Sequence, residues 1–226
     1  MSLLLHIHTG LEKAYVGITH NQQILAKREN AIQKDHATFL HPAIQSVLKE
    51  ADIHAHTLDA VSVINGPGSY TGLRVGLAAA KGLCYAGNVP LICLSTLEWL
   101  AWPFQKEDAD LICSLIDARR MEVFTALYKC SLEPVKSEHP EILDDKSFPE
   151  LEENRIIFTG NGREKLPEHI RKHPNTRMPE QNADLTEQAD MALKRFIHRQ
   201  FDDIVYAEPN YGKAFYTTAS IRSEKI

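Results

Sequence analysis

The residues of this sequence with the clearest potential for chemistry lie in a glycine-rich stretch at 65–83, NGPGSYTGLRVGLAAAKGL. An apolar β-branched run precedes the glycines and a helical pattern follows them, which predicts a strand, a tight turn and a helix N-terminus. Backbone N–H groups at such a turn can bind an anion, including the phosphates of a nucleotide. The same glycines would also suit a turn that binds nothing. The candidate anion contacts are Gly66, Gly68, Ser69, Thr71 as the helix cap, and Arg74 in the first turn.

No complete catalytic constellation accompanies these glycines. A P-loop is excluded because no Lys-Ser or Lys-Thr pair follows them. The serines of the chain lack the GxSxG elbow of a nucleophile. Asp117, beside Arg119 and Arg120, could form a catalytic or anion-binding group, but composition favours a hairpin turn with an ion pair.

The eleven histidines raise the hypothesis of a metal site. His6 and His8 would share one face of the first predicted strand, because side-chain direction repeats every two residues. A zinc site needs a third or fourth converging ligand, and the sequence identifies none. We therefore predict no metal site in this chain.

The predicted helix over 71–86 has one face almost without side chains. Gly72, Gly76, Ala79 and Ala80 recur at spacings of three and four, with Leu83 on the same side. Small residues at this spacing allow a second body to approach the backbone closely. Two interpretations follow: tight internal packing against a helix over 36–51, or a docking surface for another protein.

The first half of the chain predicts three strands, a helix, a strand, a helix and a strand. A three-stranded meander over 3–29 precedes a helix over 36–51, in which Pro42 predicts a kink or a late start. A strand over 60–65, the helix over 71–86 and a strand over 89–94 follow. Ser95 would then cap a short helix.

The second half begins as a repeat of the first. Runs at 111–117 and 122–128 predict a hairpin, and 155–160 predicts a strand. Segment 133–153 holds eight acidic residues against two lysines, and we interpret it as a solvated excursion. An amphipathic helix is predicted over 184–200. The boundary between the halves is expected near Pro103.

Bulk properties limit the class of protein. The 226 residues are 43% hydrophobic and 24% charged with a net charge of −5, which argues against disorder and against a strongly basic nucleic-acid binder. The four cysteines form no CxxC pair, as expected for reduced thiols. No apolar run reaches the ~20 residues that span a bilayer. We expect a cytoplasmic protein without a membrane association.

The segment GPGSYTGLRVGLAAAKGL closely resembles the signature of the TsaB (YeaZ-like) family, a partner subunit in bacterial synthesis of tRNA threonylcarbamoyladenosine. Supporting similarity includes Thr9, His36 with LHPAIQSVL after it, LSTLEWLA at 94–101, IDARRMEVFTALY at 116–128 and AEPNY at 207–211. The similarity is thin beyond about residue 130.

This resemblance implies an α/β protein of the actin-like ATPase (ribonuclease H-like) superfold, with two lobes that each have a mixed sheet flanked by helices. Residues 1–103 would form the N-terminal lobe with its docking helices, and 104–226 a smaller, divergent lobe. The implied role is a non-catalytic assembly subunit of the complex that transfers threonylcarbamoyl to the adenosine beside the tRNA anticodon.

The resemblance also implies partners and an interface. The partners are a metal-dependent catalytic TsaD-like homologue, a TsaE-like ATPase and, through the complex, tRNA. ATP and a metal ion are expected in the catalytic partner, and no cofactor in this chain. A homodimer could replace the complex when the catalytic partner is absent. The implied interface residues are His36, Leu40, Ile44, Gly72, Leu73, Gly76, Ala79, Ala80 and Leu83.

One departure from the family pattern affects the chemistry. The first strand of actin-like ATPases ends in an Asp that orients a metal or phosphates, and this chain has His8 there. Neutral imidazole is a poor ligand for Mg²⁺, which argues against ATP hydrolysis by this chain. An ATP-dependent small-molecule kinase or acyltransferase of the same superfold stays open through Asp117, and a protease is the weaker third alternative. The tail YTTASIRSEKI, with Arg222 and Lys225, could contact RNA or simply fray.

Overall fold

The chain folds around two five-stranded mixed sheets. The structure, a computed structural model, describes residues 2–213. The tail YTTASIRSEKI and its predicted RNA contact lie outside these residues. Within the described part of the chain, no helix is long and apolar enough to cross a membrane.

The first sheet has the order β3-β2-β1-β4-β5. Strands β1 to β3 pair antiparallel, whereas β4 and β5 run parallel to β1. The predicted meander and the two later strands are therefore confirmed. Their bounds are β1 Leu3–His8, β2 Ala14–His20, β3 Gln23–Asn30, β4 Ala60–Gly66 and β5 Leu91–Ser95.

The second sheet repeats this topology, with the order β8-β7-β6-β9-β10. Three antiparallel strands are again followed by parallel ones, so the predicted repeat and the actin-like two-lobed fold are confirmed. The bounds are β6 Leu111–Asp117, β7 Glu122–Lys129, β8 Pro134–Ile142, β9 Ile156–Thr159 and β10 Thr176–Arg177.

The interpretation of 133–153 as a solvated excursion is wrong. Its first part is β8, which pairs with β7, and Leu143, Phe148 and Leu151 are buried behind the second sheet. An edge strand can carry charges because one side of it faces water, and charge also discourages pairing with other chains. The acidic composition therefore concealed a strand.

Within residues 2–213, five α-helices pack around the sheets: α1 His36–Glu50, α2 Tyr70–Gly87, α3 Thr96–Ala101, α4 Glu168–Arg171 and α5 Leu185–Ile197. Helices α1 and α2 share one apolar core with alternate residues of β1, such as Leu5 and Ile7. Helices α3 and α5 share a core with Leu4, which points to the opposite face. Helix α1 contains Pro42 and begins at His36, so the late start did not occur.

The first two glycines of α2, Gly72 and Gly76, face the chain's own first sheet. A Cβ atom on Gly72 would lie 2.0 Å from the Thr9 carbonyl oxygen, and one on Gly76 would lie 2.4 Å from Thr9 Oγ1. The Thr9 hydroxyl donates a hydrogen bond of 2.7 Å to the Gly72 carbonyl. Gly72 and Gly76 therefore permit close internal packing against the end of β1, and α2 also packs against α1 in the same core.

Helix α5 belongs to the second half of the sequence but covers the first sheet. Its Leu185 occupies the space beside Gly17, where a Cβ would lie 2.3 Å from Leu185 Cδ2. Gln188 Nε2 donates to Ser62 Oγ at 3.0 Å, and Ser62 also bonds His6 at 2.7 Å. These buried polar contacts fix the helix on the sheet. The lobe boundary near residue 103 stays a prediction.

Two glycines of α2 provide a matched test of this packing. Gly76→Ala should destabilise the protein by about 1–3 kcal/mol, because the added methyl group overpacks a buried contact with Thr9. Gly82→Ala should stabilise it by up to about 1 kcal/mol, because Gly82 is exposed and no described atom outside its helix neighbourhood crowds its Cβ position. Urea unfolding of both variants measures the difference. If both substitutions changed the free energy of unfolding by the same amount and in the same direction, Gly76 would not be more tightly packed than Gly82.

Candidate functional site: an interlobe cleft and a helix surface

A cleft of about 610 Å³ lies between the two sheets. The first lobe contributes the β1–β2 loop and the glycine turn before α2, and the second contributes the β6–β7 turn and a short 3-10 helix at Asn161–Lys165. The carboxyl ends of β1, β4 and β6 therefore approach one opening, the usual position for ligands in open α/β sheets.

The glycine turn forms one wall of the cleft. Gly68 packs on the β1–β2 loop, where a Cβ would lie 2.4 Å from the Gly10 carbonyl oxygen, and Ser69 N donates to that oxygen at 2.7 Å. The N-cap of α2 is Ser69 and not Thr71, because the helix begins at Tyr70, one residue earlier than expected. The Ser69 Oγ atom accepts a hydrogen bond of 3.4 Å from Gly72 N. Thr71 is exposed and lines the cleft.

The other two predicted anion contacts, Gly66 and Arg74, contact other groups of the chain. Gly66 has a φ of +117° and abuts the Asn210 carbonyl oxygen, 2.0 Å from the position of a Cβ. Arg74 donates to the Tyr70 hydroxyl at 2.7 Å and lies over that ring, 4.9 Å from its centroid. Three of the five candidates therefore line the cleft, and their binding of an anion stays a prediction.

The opposite wall carries an ion pair that differs from the one expected. Asp117 pairs with Lys165, whereas Arg119 reaches the carboxylate through its backbone N at 2.6 Å. Partial burial raises the pKa of Asp117, but the hydrogen bonds from Lys165 and from the Arg119 backbone outweigh it and lower the pKa overall. The Asp117 carboxylate is therefore anchored within its own lobe.

Sequence reasoning did not anticipate the contact that bridges the cleft. Asn161 Nδ2 donates to Glu12 Oε1 at 2.8 Å, so a residue after β9 binds the loop after β1. Lys165 and Asn161 are separated from Asp117 by more than forty residues, and no local pattern indicates their approach. Arg119 and Arg120 both have left-handed backbone conformations, with φ of +70° and +51°, which shape the turn beside them.

His8 is buried at the end of β1, where the resembled ATPases have a carboxylate. It is 1% exposed, and neither ring nitrogen has a hydrogen-bond partner among residues 2–213. Burial, with a smaller effect of the charge of His36, lowers its pKa from 6.5 to about 3. The imidazole is therefore neutral at physiological pH. Within the described residues, no group of three or more His, Cys, Asp or Glu side chains is arranged to hold a metal.

The residues implied as a partner interface lie mostly inside the monomer. Leu83 is half-buried, and the other eight are buried in the described chain. His36, for example, lies with its ring nitrogens 3.3 Å from the Thr9 carbonyl oxygen and 3.1 Å from that of Glu12. Their part in binding a partner stays a prediction. The buried residues are His36, Leu40, Ile44, Gly72, Leu73, Gly76, Ala79 and Ala80.

The outer face of the same helix pair is open. On α2, Ala78 and Gly82 are exposed one turn apart, and Tyr85 beyond them is 84% exposed. On α1, His41 and Gln45 are exposed at the same spacing. A second body could approach the α2 backbone closely at Ala78 and Gly82, because neither has a large side chain.

A strap formed by residues 207–213 joins the lobes beside the cleft. Asn210 N donates to the Asn65 carbonyl oxygen and its side chain to Glu138 Oε2, each at 2.8 Å. Lys81 Nζ donates to the Ala207 carbonyl oxygen at 3.0 Å. The segment AEPNY therefore contacts both lobes, a role that sequence similarity alone did not indicate.

The two mixed sheets of identical order and the cleft between them define a two-lobed actin-like protein. A solved structure of a Pseudomonas aeruginosa protein described as similar to peptidase YEAZ shares this fold, with a TM-score of 0.80, 24% identity and coverage of 94% of this chain and 100% of that chain. Another, described as YeaZ from Pseudomonas aeruginosa, has a TM-score of 0.78 and 24% identity.

Sequence comparison identifies the family of this two-lobed protein. The family model described as "TsaD: tRNA N6-adenosine threonylcarbamoyltransferase" matches residues 22–146. The tRNA threonylcarbamoyladenosine biosynthesis protein TsaB of Bacillus subtilis (strain 168) is 32% identical over 162 residues, 70% of each chain. The TsaB of Escherichia coli (strain K12) is 31% identical over 56% of this chain and 54% of its own length. The chain belongs to the TsaB (YeaZ-like) family.

The ion pair in the cleft can be tested directly. Lys165→Met should raise the pKa of Asp117, because the replacement removes the cation that stabilises the carboxylate and keeps the apolar stem. NMR titration of the Asp117 carboxyl group measures the change, with Lys172→Met as a control on a distant surface pair with Glu168. An unchanged Asp117 pKa in Lys165→Met would contradict the assigned pair.

The buried histidines predict acid sensitivity of the fold. Burial lowers the pKa of both His6 and His8 from 6.5 to about 3, so between these values the unfolded chain binds protons that the folded chain does not. Stability should therefore fall as the pH drops from about 6.5, by up to ~1.4 kcal/mol per pH unit for each histidine.

The variant His8→Leu should remove about half of this pH dependence. Urea unfolding at pH 7 and pH 5 measures it, with His41→Leu, at an exposed site on α1, as the control. If His8→Leu and the unmodified protein lose the same stability between the two pH values, His8 is not buried in neutral form.

Proposed function

We propose that this chain is a non-catalytic assembly and activating subunit in tRNA threonylcarbamoyladenosine synthesis. It binds the metal-dependent TsaD-like homologue through α1 and α2, and the complex transfers threonylcarbamoyl to the adenosine beside the anticodon. The curated relatives are named for this biosynthesis, and the matching family model is named for the transferase itself.

The observation that carries the proposal is the open outer face of α1 and α2. Their inner faces are fully used by the first sheet, so the buried glycines set how closely α2 lies on β1. The outer face presents Ala78 and Gly82 on a rigid helix, flanked by Tyr85. The side-chain ridges of a helix pair from a homologous protein can pack into this shallow surface. Such packing would cost the side chains of this surface little conformational freedom.

The end of β1 supports a role without nucleotide hydrolysis. His8 is neutral and buried at the position where the superfold's ATPases use a carboxylate, so the chain lacks a hard-cation ligand there. Asp117 across the cleft is engaged by Lys165. ATP and a metal ion are accordingly assigned to the catalytic partner, and none to this chain.

The alternative is an ATP-dependent small-molecule kinase or acyltransferase. Asp117 favours it, because this carboxylate lies on the cleft and its pKa is lowered, so it is ionised. ATP turnover by the isolated chain, lost in Asp117→Asn, would establish this alternative. Absence of turnover together with complex formation would support the assembly role.

Further partners belong to the same proposal. A TsaE-like ATPase and tRNA would join through the complex, since the net charge of −5 gives this chain no net electrostatic attraction to RNA by itself. Without the catalytic homologue, the open face of α1 and α2 would support a homodimer. The proposed location is the cytoplasm, where tRNA is modified.

Charged substitutions on the open face test the interface without disturbing the core. Ala78→Arg with Gly82→Arg should abolish formation of a one-to-one complex with the TsaD-like homologue, because two bulky charges would block close helix approach. Gly82→Ala, which keeps the surface small, serves as the matched control. Size-exclusion chromatography with light scattering measures the complex, and thermal unfolding verifies the fold.

An undiminished complex with the folded double-Arg variant would exclude this face as the docking surface. Loss of binding in Gly82→Ala as well would indicate an effect on α2 itself rather than on contact with the partner.

A further inference from the structure

The C-terminal end of α5 presents cationic side chains without carboxylate partners. Lys194, His198 and Arg199 are exposed, and among residues 2–213 their side chains form no ion pair and no hydrogen bond. Lys194 and His198 are four residues apart and therefore lie on one side of the helix end, with Arg199 directly after them. Because the chain as a whole has a net charge of −5, this end of α5 is a local exception on its surface.

The carboxylates near this helix end are directed elsewhere. Asp202 Oδ2 accepts a hydrogen bond of 2.7 Å from Cys93 N, and Asp203 Oδ1 accepts from the backbone of the loop that follows it. Glu98 on α3 is half-buried, and Arg195 is the cation whose charge acts on it most strongly. The three exposed cations therefore stay available to an anion from outside the chain.

Arg199 occupies a backbone position that normally favours glycine. Its φ is +53°, and it follows His198, the C-cap of α5. Arg199 N donates to the Phe196 carbonyl oxygen at 3.0 Å and Gln200 N to that of Arg195 at 2.9 Å, which are the two bonds of a Schellman motif. The attraction of cations to a helix C-terminus explains the last turn of α5, whereas the backbone at residue 199 would be better satisfied by glycine.

Exposed apolar side chains lie among these cations. Phe201 is 42% exposed, with its ring centroid 6.0 Å from that of Phe196, and Ile197 is 66% exposed. Lys194 Nζ lies 5.5 Å from the centroid of the Trp102 ring, a cation–π contact that positions the ammonium group. Single-stranded nucleic acids bind such combinations, because their bases stack on rings while their phosphates attract cations.

We use the name α5 patch for the three cations and the exposed ring, which are Lys194, His198, Arg199 and Phe201. The patch stays accessible when the outer face of α1 and α2 is occupied. Helix α5 packs on the face of the first sheet to which Leu4 points, whereas α1 and α2 pack on the opposite face. The sheet therefore separates the α5 patch from the proposed docking surface.

We propose that the α5 patch binds RNA beside an unpaired base, with Lys194 and Arg199 on phosphates, His198 donating a hydrogen bond and Phe201 against the base. This inference rests on the proposed function, in which the RNA is the tRNA that the complex modifies. The net charge of −5 limits the patch to contacts that add to those of the partner. An acidic protein segment would use the cations but would leave the ring of Phe201 unused.

Fluorescence anisotropy of a labelled, unmodified tRNA measures the contact, both in the complex with the TsaD-like homologue and in the isolated chain. Lys194→Gln with Arg199→Gln should weaken the affinity about tenfold and lower the slope of log K against log salt by about 1.5. Arg171→Gln with Lys172→Gln removes the same charge from exposed sites on α4, behind the second sheet, and should change the affinity much less.

Two further variants separate binding from folding. Arg199→Gly should keep or raise the melting temperature, because glycine suits a φ of +53°, yet it should weaken RNA binding roughly threefold through the lost phosphate contact. A purely structural role of Arg199 would leave the affinity unchanged. Phe201→Leu should weaken binding roughly fivefold without changing the salt slope, because stacking on a base releases no counterions.

Size-exclusion chromatography of the same samples separates this proposal from the assembly role. If the complex forms but the folded Lys194→Gln, Arg199→Gln variant binds tRNA as tightly as the unmodified protein, the α5 patch is not an RNA contact and the assembly role stands. If no complex forms, the isolated chain at low salt decides between the outcomes. Binding that is lost in this variant and kept in the α4 control supports the patch, and equal or absent binding overturns it.

A polyglutamate peptide tests the acidic partner. Peptide binding as tight as that of tRNA, lost in Lys194→Gln with Arg199→Gln and unaffected by Phe201→Leu, would assign the α5 patch to a protein and overturn the RNA proposal.

Discussion

The close approach of α2 to β1 is the constraint on which the rest of the structure depends. Gly72 and Gly76 leave no room for a Cβ against Thr9, and the Thr9 hydroxyl bonds the helix backbone at that point. This contact fixes the start of α2, and with it the glycine turn that forms one wall of the cleft. It also fixes the angle at which the outer face of α2 is presented, so one steric requirement positions both candidate surfaces.

The lobes are joined by contacts on two sides of the cleft. Helix α5 comes from the second half of the chain but is held on the first sheet by Gln188, Ser62 and His6. The strap at 207–213 bonds Asn65 on one side and Glu138 on the other. Contacts on both sides of the cleft therefore hold the two sheets together.

The replacement of a carboxylate by His8 changes the chemistry of the interlobe region. An Asp at this position would be charged and would attract a hard cation, whereas the buried imidazole is neutral and lies among aromatic rings. His8 therefore lies between two aromatic rings at the end of β1, and neither of its ring nitrogens has a hydrogen-bond partner among residues 2–213. A neutral, buried side chain at this strand end therefore offers no charged ligand to a hard cation.

The sequence by itself determined most of the local structure and the family. Period-two and period-3.6 patterns identified the meander, α1, α2 and α5, since each buries one face and leaves the other in water. They failed for β8, an edge strand whose charges mask the pattern, and for the cap of α2, which is Ser69, two residues before the expected Thr71. The spacing of the glycines correctly indicated that another element lies close to α2, but it did not identify that element as the end of β1.

Only the tertiary structure decided which surfaces are free. A small-residue face reads the same in sequence whether a strand of the same chain or a partner lies against it, and here Gly76 meets Thr9. The pairing of Asp117 with Lys165 and the bridge from Asn161 to Glu12 likewise join residues far apart in the chain. Such contacts arise when the two sheets assemble, because burial and charge partners depend on long-range packing that no local pattern encodes.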